Sequence, residues 1–172
     1  MRKIILIGYM ASGKTTIGKI VAKKNDISHV DLDNLIEKEA GLSIENIFAQ
    51  KGEIYFRKME HNLFKKLMES KESLVISTGG GTPCYANNHL FLDGDGVISI
   101  YLKASIDVLY ERLSVENVKR PLVANKSEET LKDFIAKQLF ERSYYYNKAT
   151  FKISIDSKNP ENIATSILDL LV

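Results

Sequence analysis

The run Gly8-Tyr9-Met10-Ala11-Ser12-Gly13-Lys14-Thr15 sets a glycine ahead of Gly-Lys-Thr with four residues between. That spacing suits the holding of phosphate. The glycines let the loop curl until successive N–H groups converge on an anion. Lys14 is then placed to reach β- and γ-phosphates, and the Thr15 hydroxyl to hold Mg²⁺. A glycine-rich turn that binds nothing could share these residues. Here, however, the run follows Ile4-Ile5-Leu6-Ile7 and leads into helical spacing, with Ile17, Ile20 and Val21 on one face. Strand, loop and helix N-terminus in that order are what phosphate binding needs. The chain is expected to bind a nucleoside triphosphate.

Further chemistry sits elsewhere. Val30-Asp31-Leu32-Asp33 closes a second apolar run. Alternation along a strand would put Asp31 and Asp33 on one side, one serving the water shell of a metal and the other an acceptor hydroxyl. Alternatively, Asp33 simply caps a helix beginning at Asn34. Arg57 has Glu53 four residues before it and Glu60 three after, which also fits a surface ion pair. Arg142 has no acid at either helical spacing. Arg120 precedes Pro121 and is biased to extended backbone, in a polar interval Ser114–Lys126 long enough for a lid. Dispersed arginines with two aspartates describe a small, anionic, hydroxyl-bearing acceptor. A GTPase switch fits less well. Asp93-Gly94-Asp95-Gly96 precedes a strand where such a motif should follow one, and Asn125-Lys126-Ser127-Glu128 ends in the wrong acid. Tyr144-Tyr145-Tyr146 reads as core and rim packing.

These residues need elements to position them. Apolar runs predict strands at Ile4–Ile7, His29–Leu32, Leu74–Ser77, Val97–Leu102 and Phe151–Ile155. Helical spacing joins Phe56, Met59, Leu63 and Leu67, and again Leu131, Phe134, Ile135, Gln138 and Leu139. Ser127 and Asn159 are placed as N-caps, with Pro160 at a first helical position. Strand and helix alternate, so an α/β domain with a mostly parallel sheet is expected, its ligands at the carboxyl ends of the strands. The 172 residues, 44% hydrophobic and 27% charged, suit one domain, residues 1–172. A net charge of +2 suggests neither nucleic acid nor an anionic membrane as partner. The lone Cys84 offers no internal disulfide or metal site. With Met1-Arg2-Lys3 passing straight into a strand, no signal peptide is expected, and the chain reads as a cytoplasmic monomer.

The motifs in order are G-Y-M-A-S-G-K-T-T-I-G, D-L-D-N-L-I-E, G-L-S-I-E-N-I-F, G-E-I-Y-F-R-K-M-E, S-T-G-G-G and R-P-L, then a late Arg followed by Tyr. Together they resemble the shikimate kinase family over nearly the whole chain. The resemblance implies a three-layer P-loop kinase fold with five parallel strands, a mobile lid at about 114–126 and an acceptor region at about 33–61. It implies transfer from ATP, with Mg²⁺, to the 3-hydroxyl of shikimate, on the route to chorismate and the aromatic amino acids. Asp33 would then meet the shikimate hydroxyls, Arg57 and Arg142 its carboxylate, and the backbone of Gly79, Gly80 and Gly81 its ring. Asp31 would act through water on Mg²⁺ beside Thr15. ATP would fall to Ala11, Ser12, Gly13, Lys14, Thr15 and Thr16, with Arg112 on the adenine, Lys158 flanking it and Arg120 on the phosphates. Lys14, Asp33 and Arg120 would carry the catalysis. Another small-metabolite P-loop kinase, such as one for gluconate, and a nucleotide-dependent switch remain the alternatives.

Overall fold

Lys3–Ile7 (β1) is buried at every position. A strand buried on both faces needs helices above and below it, and the rest of the chain provides them. The computed structural model describes residues 2–116 and 127–171. After β1 come α1 (Lys14–Lys24), β2 (Ser28–Asp31), α2 (Leu32–Ala40), α3 (Ile44–Lys51), α4 (Glu53–Glu69) and β3 (Leu74–Ser77). Two short 3₁₀ turns, Thr82–Cys84 and Asn88–Leu92, lead to β4 (Val97–Lys103) and α5 (Ile106–Glu116). Then come α6 (Glu128–Tyr146), β5 (Phe151–Ser154) and α7 (Pro160–Asp169).

The strands form one parallel sheet in the order β2-β3-β1-β4-β5. Alternation in β1 splits the core in two. Ile4 and Leu6 face a layer holding Ile17, Leu109, Ile135 and Ile167, from α1, α5, α6 and α7. Ile5 and Ile7 face the opposite layer, with Ile36, Ile47, Phe56 and Phe64 from α2, α3 and α4. The three-layer α/β arrangement expected from the sequence is present. Helix α6 serves both layers: Leu131 and Ile135 lie in the first, Tyr146 in the second.

Three local expectations are corrected. β2 stops at Asp31, whose Oδ1 accepts from the Asn34 N–H at 3.1 Å and caps α2. Asp33 is therefore neither on the strand nor the cap; it lies in the first turn of α2. The buried face of α4 is Phe56, Glu60 and Phe64, with Met59, Leu63 and Leu67 flanking it. The expected lid overlaps α5, which runs through Ser114 to Glu116, while 117–126, with Arg120, lies outside the described residues. Ser127 and Asn159 cap α6 and α7 as expected, and Pro160 opens α7.

Helix α1 lies close against the sheet at Gly18. A Cβ there would sit 2.6 Å from Ser77 Oγ and 2.7 Å from His29 Nε2. Those two atoms are themselves 2.9 Å apart, and Ser77 Oγ also donates to the Lys14 carbonyl at 2.9 Å. The Ala Cβ has no room unless this bonded group moves. Gly18→Ala should therefore destabilise the fold by about 1–2 kcal/mol, because overpacking outweighs the gain in helix propensity. Urea denaturation of the purified variant against its parent measures this directly.

Candidate active site

The carboxyl ends of β1, β2 and β3 open into a cleft of about 410 Å³. Ala11, Gly13, Lys14, Thr15, Thr16, Asp31, Asp33, Gly79, Gly80 and Arg112, all predicted, line it. The loop after β1 turns through Gly8, Ala11 and Gly13, each with positive φ, before α1 begins at Lys14. Its carbonyls at Gly8 and Tyr9 each accept from Lys14 Nζ at 2.9 Å, and Ala11 O accepts from Arg112 Nη1 at 3.0 Å. Ser12 does not line the cleft; its side chain is fully buried beside Gly8. Lys158 is exposed on the turn before α7, and Pro160 reaches the cleft in its place.

On the second wall, Thr15 Oγ1 donates to Asp31 Oδ2 at 2.5 Å. A hydroxyl and a carboxylate are hard oxygen donors, the set Mg²⁺ takes when phosphates and water complete its shell. Among the described residues no group of three or more acidic, histidine or cysteine side chains forms a metal cage. The site therefore suits an ion shared with phosphate.

Beyond Asp33, three consecutive glycines each meet a different charged side chain. A Cβ at Gly79 would lie 2.8 Å from Asp33 Oδ1, at Gly80 3.3 Å from Arg142 Nη1, and at Gly81 2.8 Å from Arg57 Nη2. Asp33 from α2, Arg57 from α4 and Arg142 from α6 thus converge on one stretch of bare backbone. The surface-pair alternative for Arg57 fails, because its partner Glu60 is 1% exposed. Glu60 Oε2 accepts from Arg57 Nη1 at 2.8 Å, and Oε1 accepts from Thr82 Oγ1 at 2.6 Å. Arg142 has no carboxylate in ion-pair range among the described residues; it interacts electrostatically with Tyr146 and lies over the Tyr9 ring. The Tyr146 hydroxyl donates to Gly80 O at 2.6 Å, and burial raises its pKa against the opposing pull of Arg142. Burial, reinforced by Asp31, pushes Asp33 up to about 6, although Lys14 acts the other way.

Sequence reasoning missed Glu60, Thr82 and Tyr146 as parts of this site. One signal was available: Phe56, Glu60 and Phe64 are spaced by four, so an acid sits on an apolar helical stripe.

A family model described as shikimate kinase matches residues 10–172. Similar proteins include the shikimate kinase of Flavobacterium johnsoniae, 54% identical over 99% of both chains. That of Flavobacterium psychrophilum is 50% identical over the same shares. Among solved structures, shikimate kinase from Bacteroides thetaiotaomicron superposes with a TM-score of 0.90 at 34% identity, covering 99% of this chain and 98% of the other. The Acinetobacter baumannii shikimate kinase in complex with shikimate gives 0.86 at 30% identity, covering 99% and 93%.

The Asp33 carboxyl makes a pH test of this geometry. Its pKa rises on folding from an ordinary 3.8 to about 6, so the charged form costs stability. That cost is absent below the unfolded value, builds as pH rises from about 4 to about 6, and is constant above that. Asp33→Asn should therefore melt at higher temperature than the parent near neutral pH, and the gap should close below about pH 4. Thermal denaturation across that range reads both limits.

Proposed function

This chain belongs to the shikimate kinase family, and we propose that it transfers the γ-phosphoryl group of ATP to the 3-hydroxyl of shikimate. The products are shikimate 3-phosphate and ADP, on the route to chorismate and the aromatic amino acids. One observation carries the acceptor half of this proposal. Asp33, Arg142 and Arg57 each stand against one of Gly79, Gly80 and Gly81, so hydroxyl and carboxylate groups can be held from opposite sides of a ring lying on bare backbone. The relative from Acinetobacter baumannii, described in complex with shikimate, supports the same acceptor.

Each wall of the cleft then has a task. The loop 8–13 and the N-terminus of α1 hold the phosphates, with Ala11, Ser12 and Gly13 acting through backbone and Thr16 at the rim. Arg112 and the turn carrying Lys158 flank the adenine. Lys14, and Arg120 from a lid in the interval after α5, offset charge on the transferring group. Thr15 would hold Mg²⁺ and Asp31 would act on it through water; when bound, the ion would neutralise phosphate oxygens. Asp33 accepts a hydrogen bond from the 3-hydroxyl and orients it for in-line attack. A loose transition state needs positioning and charge more than a strong base, so a carboxylate with pKa about 6 suffices. Lid closure would exclude water, because hydrolysis of ATP is the reaction to suppress. Residues 1–172 as one domain, a monomer, a cytoplasmic location and no nucleic-acid partner complete the proposal. Among the described residues, no helix is long and apolar enough to cross a membrane.

A coupled ADP-release assay with ATP and Mg²⁺ tests the reaction: release should depend on added shikimate. The methyl ester of shikimate should be a much poorer acceptor. Arg57→Lys should raise the KM for shikimate by about tenfold or more, because an ammonium cannot copy a bidentate guanidinium. Equal use of acid and ester by the unmodified enzyme would refute the carboxylate grip.

Asp31→Asn separates the metal wall from the acceptor wall. The Mg²⁺ concentration for half-maximal rate should rise severalfold, while the KM for shikimate moves little. A titration of rate against free Mg²⁺ at fixed ATP checks this.

A further inference from the structure

Tyr85 follows the 3₁₀ turn Thr82–Cys84 and remains 40% exposed. Its ring has a specific occupant: Arg57 Cζ lies over it, 3.8 Å from the centroid. The Phe56 ring is farther, at 5.0 Å. With Tyr85 against one face of the guanidinium and Glu60 on Nη1, the group has little freedom to turn about its own plane. Nε is buried without a hydrogen bond, with Glu53 at 3.5 Å, and Nη2 makes none among the described residues. The donor left over points along Gly81, where a Cβ would be 2.8 Å from Nη2.

We propose that Tyr85 is a positioning residue for Arg57, its ring fixing the plane in which the guanidinium meets the acceptor carboxylate. The inference rests on the carboxylate role given to Arg57 above.

The backbone around Tyr85 is built to present the ring. Ala86 and Asn87 both have left-handed conformations, with φ 49 and 58, which cost energy for residues other than glycine. Such a turn persists only where its surroundings over-determine it, and Asn88 supplies them. Fully buried, it donates from N to Tyr85 O at 2.9 Å and from Nδ2 to Thr82 O at 2.9 Å. Its Oδ1 lies 2.7 Å from His61 Nδ1. The neighbouring aromatic Phe91 joins the second core layer, whereas Tyr85 is held out over Arg57. Stacking orients a guanidinium without occupying its donors, which Glu60 alone cannot do, because a carboxylate uses up one edge.

The test is steady-state kinetics on three variants, Tyr85→Leu, Tyr85→Gln and Tyr85→Phe, each with its melting temperature. Loss of the ring face in Leu or Gln should raise the KM for shikimate about three- to thirtyfold, with kcat and the KM for ATP changing far less. Tyr85→Phe keeps the face and should stay within about twofold of the parent. Leu and Gln are independent removals, so either folded variant suffices. A shikimate KM unchanged in Leu and Gln overturns the proposal, as does a loss in Phe equal to theirs. Equal use of shikimate and its methyl ester by the parent refutes the carboxylate role itself. A clear preference for shikimate, together with a KM indifferent to the ring, refutes only Tyr85.

Discussion

Gly79, Gly80 and Gly81 leave β3 with no side chain to fill the space that opens there, and three helices use that space. Asp33, Arg142 and Arg57 all approach the same backbone to van der Waals distance or closer than a Cβ would permit. Any residue larger than glycine would push one of them out of line. The polar partners follow from this crowding. Arg57 is held by a Glu60 that is itself buried, and a buried carboxylate is tolerable only with its charge paired and its lone pairs filled, here by Arg57 and Thr82. Tyr146 donates to the Gly80 carbonyl and interacts electrostatically with Arg142 beside it.

The nucleotide end depends on the same strand. Ser77, the last residue of β3, donates to the carbonyl of Lys14 at the start of α1, and Thr78 bonds Leu6 O through both its N–H and its hydroxyl. The loop 8–13 and the glycine stretch proposed as the acceptor floor are therefore turns off two adjacent parallel strands, with the loop after β1 on one side of the cleft and the glycines on the other. No separate module has to dock for phosphate donor and hydroxyl acceptor to meet.

Much of this was legible in the residues. β1, β3 and β4 are apolar runs with little ambiguity of period, and all five strands fall within about two residues of the runs that predict them. The phosphate loop was legible because its chemistry is local. Asp33 was placed on the wrong element because D-L-D alternates like a strand; what ends the strand is a side chain, Asp31 capping Asn34, and sequence spacing leaves the choice between two nearby aspartates open. Glu60 reads as one charge among many on a charged helix. Its role needs Thr82, 22 residues away, which no local pattern supplies. The substrate-side assignments came from resemblance, since Arg142 reaches Gly80 across 61 residues of intervening chain.

The order of strands in space has a consequence for how the chain is made. β1 is made before either of its partners and is the middle strand of the sheet, where Lys3 pairs with Leu74 on one side and Val97 on the other. At ordinary synthesis rates the second partner follows roughly five to twenty seconds later. Until β3 follows, Ile4-Ile5-Leu6-Ile7 has neither hydrogen-bonding edge paired, and one edge stays free until β4 is made. The strand that carries the loop 8–13 is thus left waiting for distant partners, and parallel pairing across such separations is intrinsically slow.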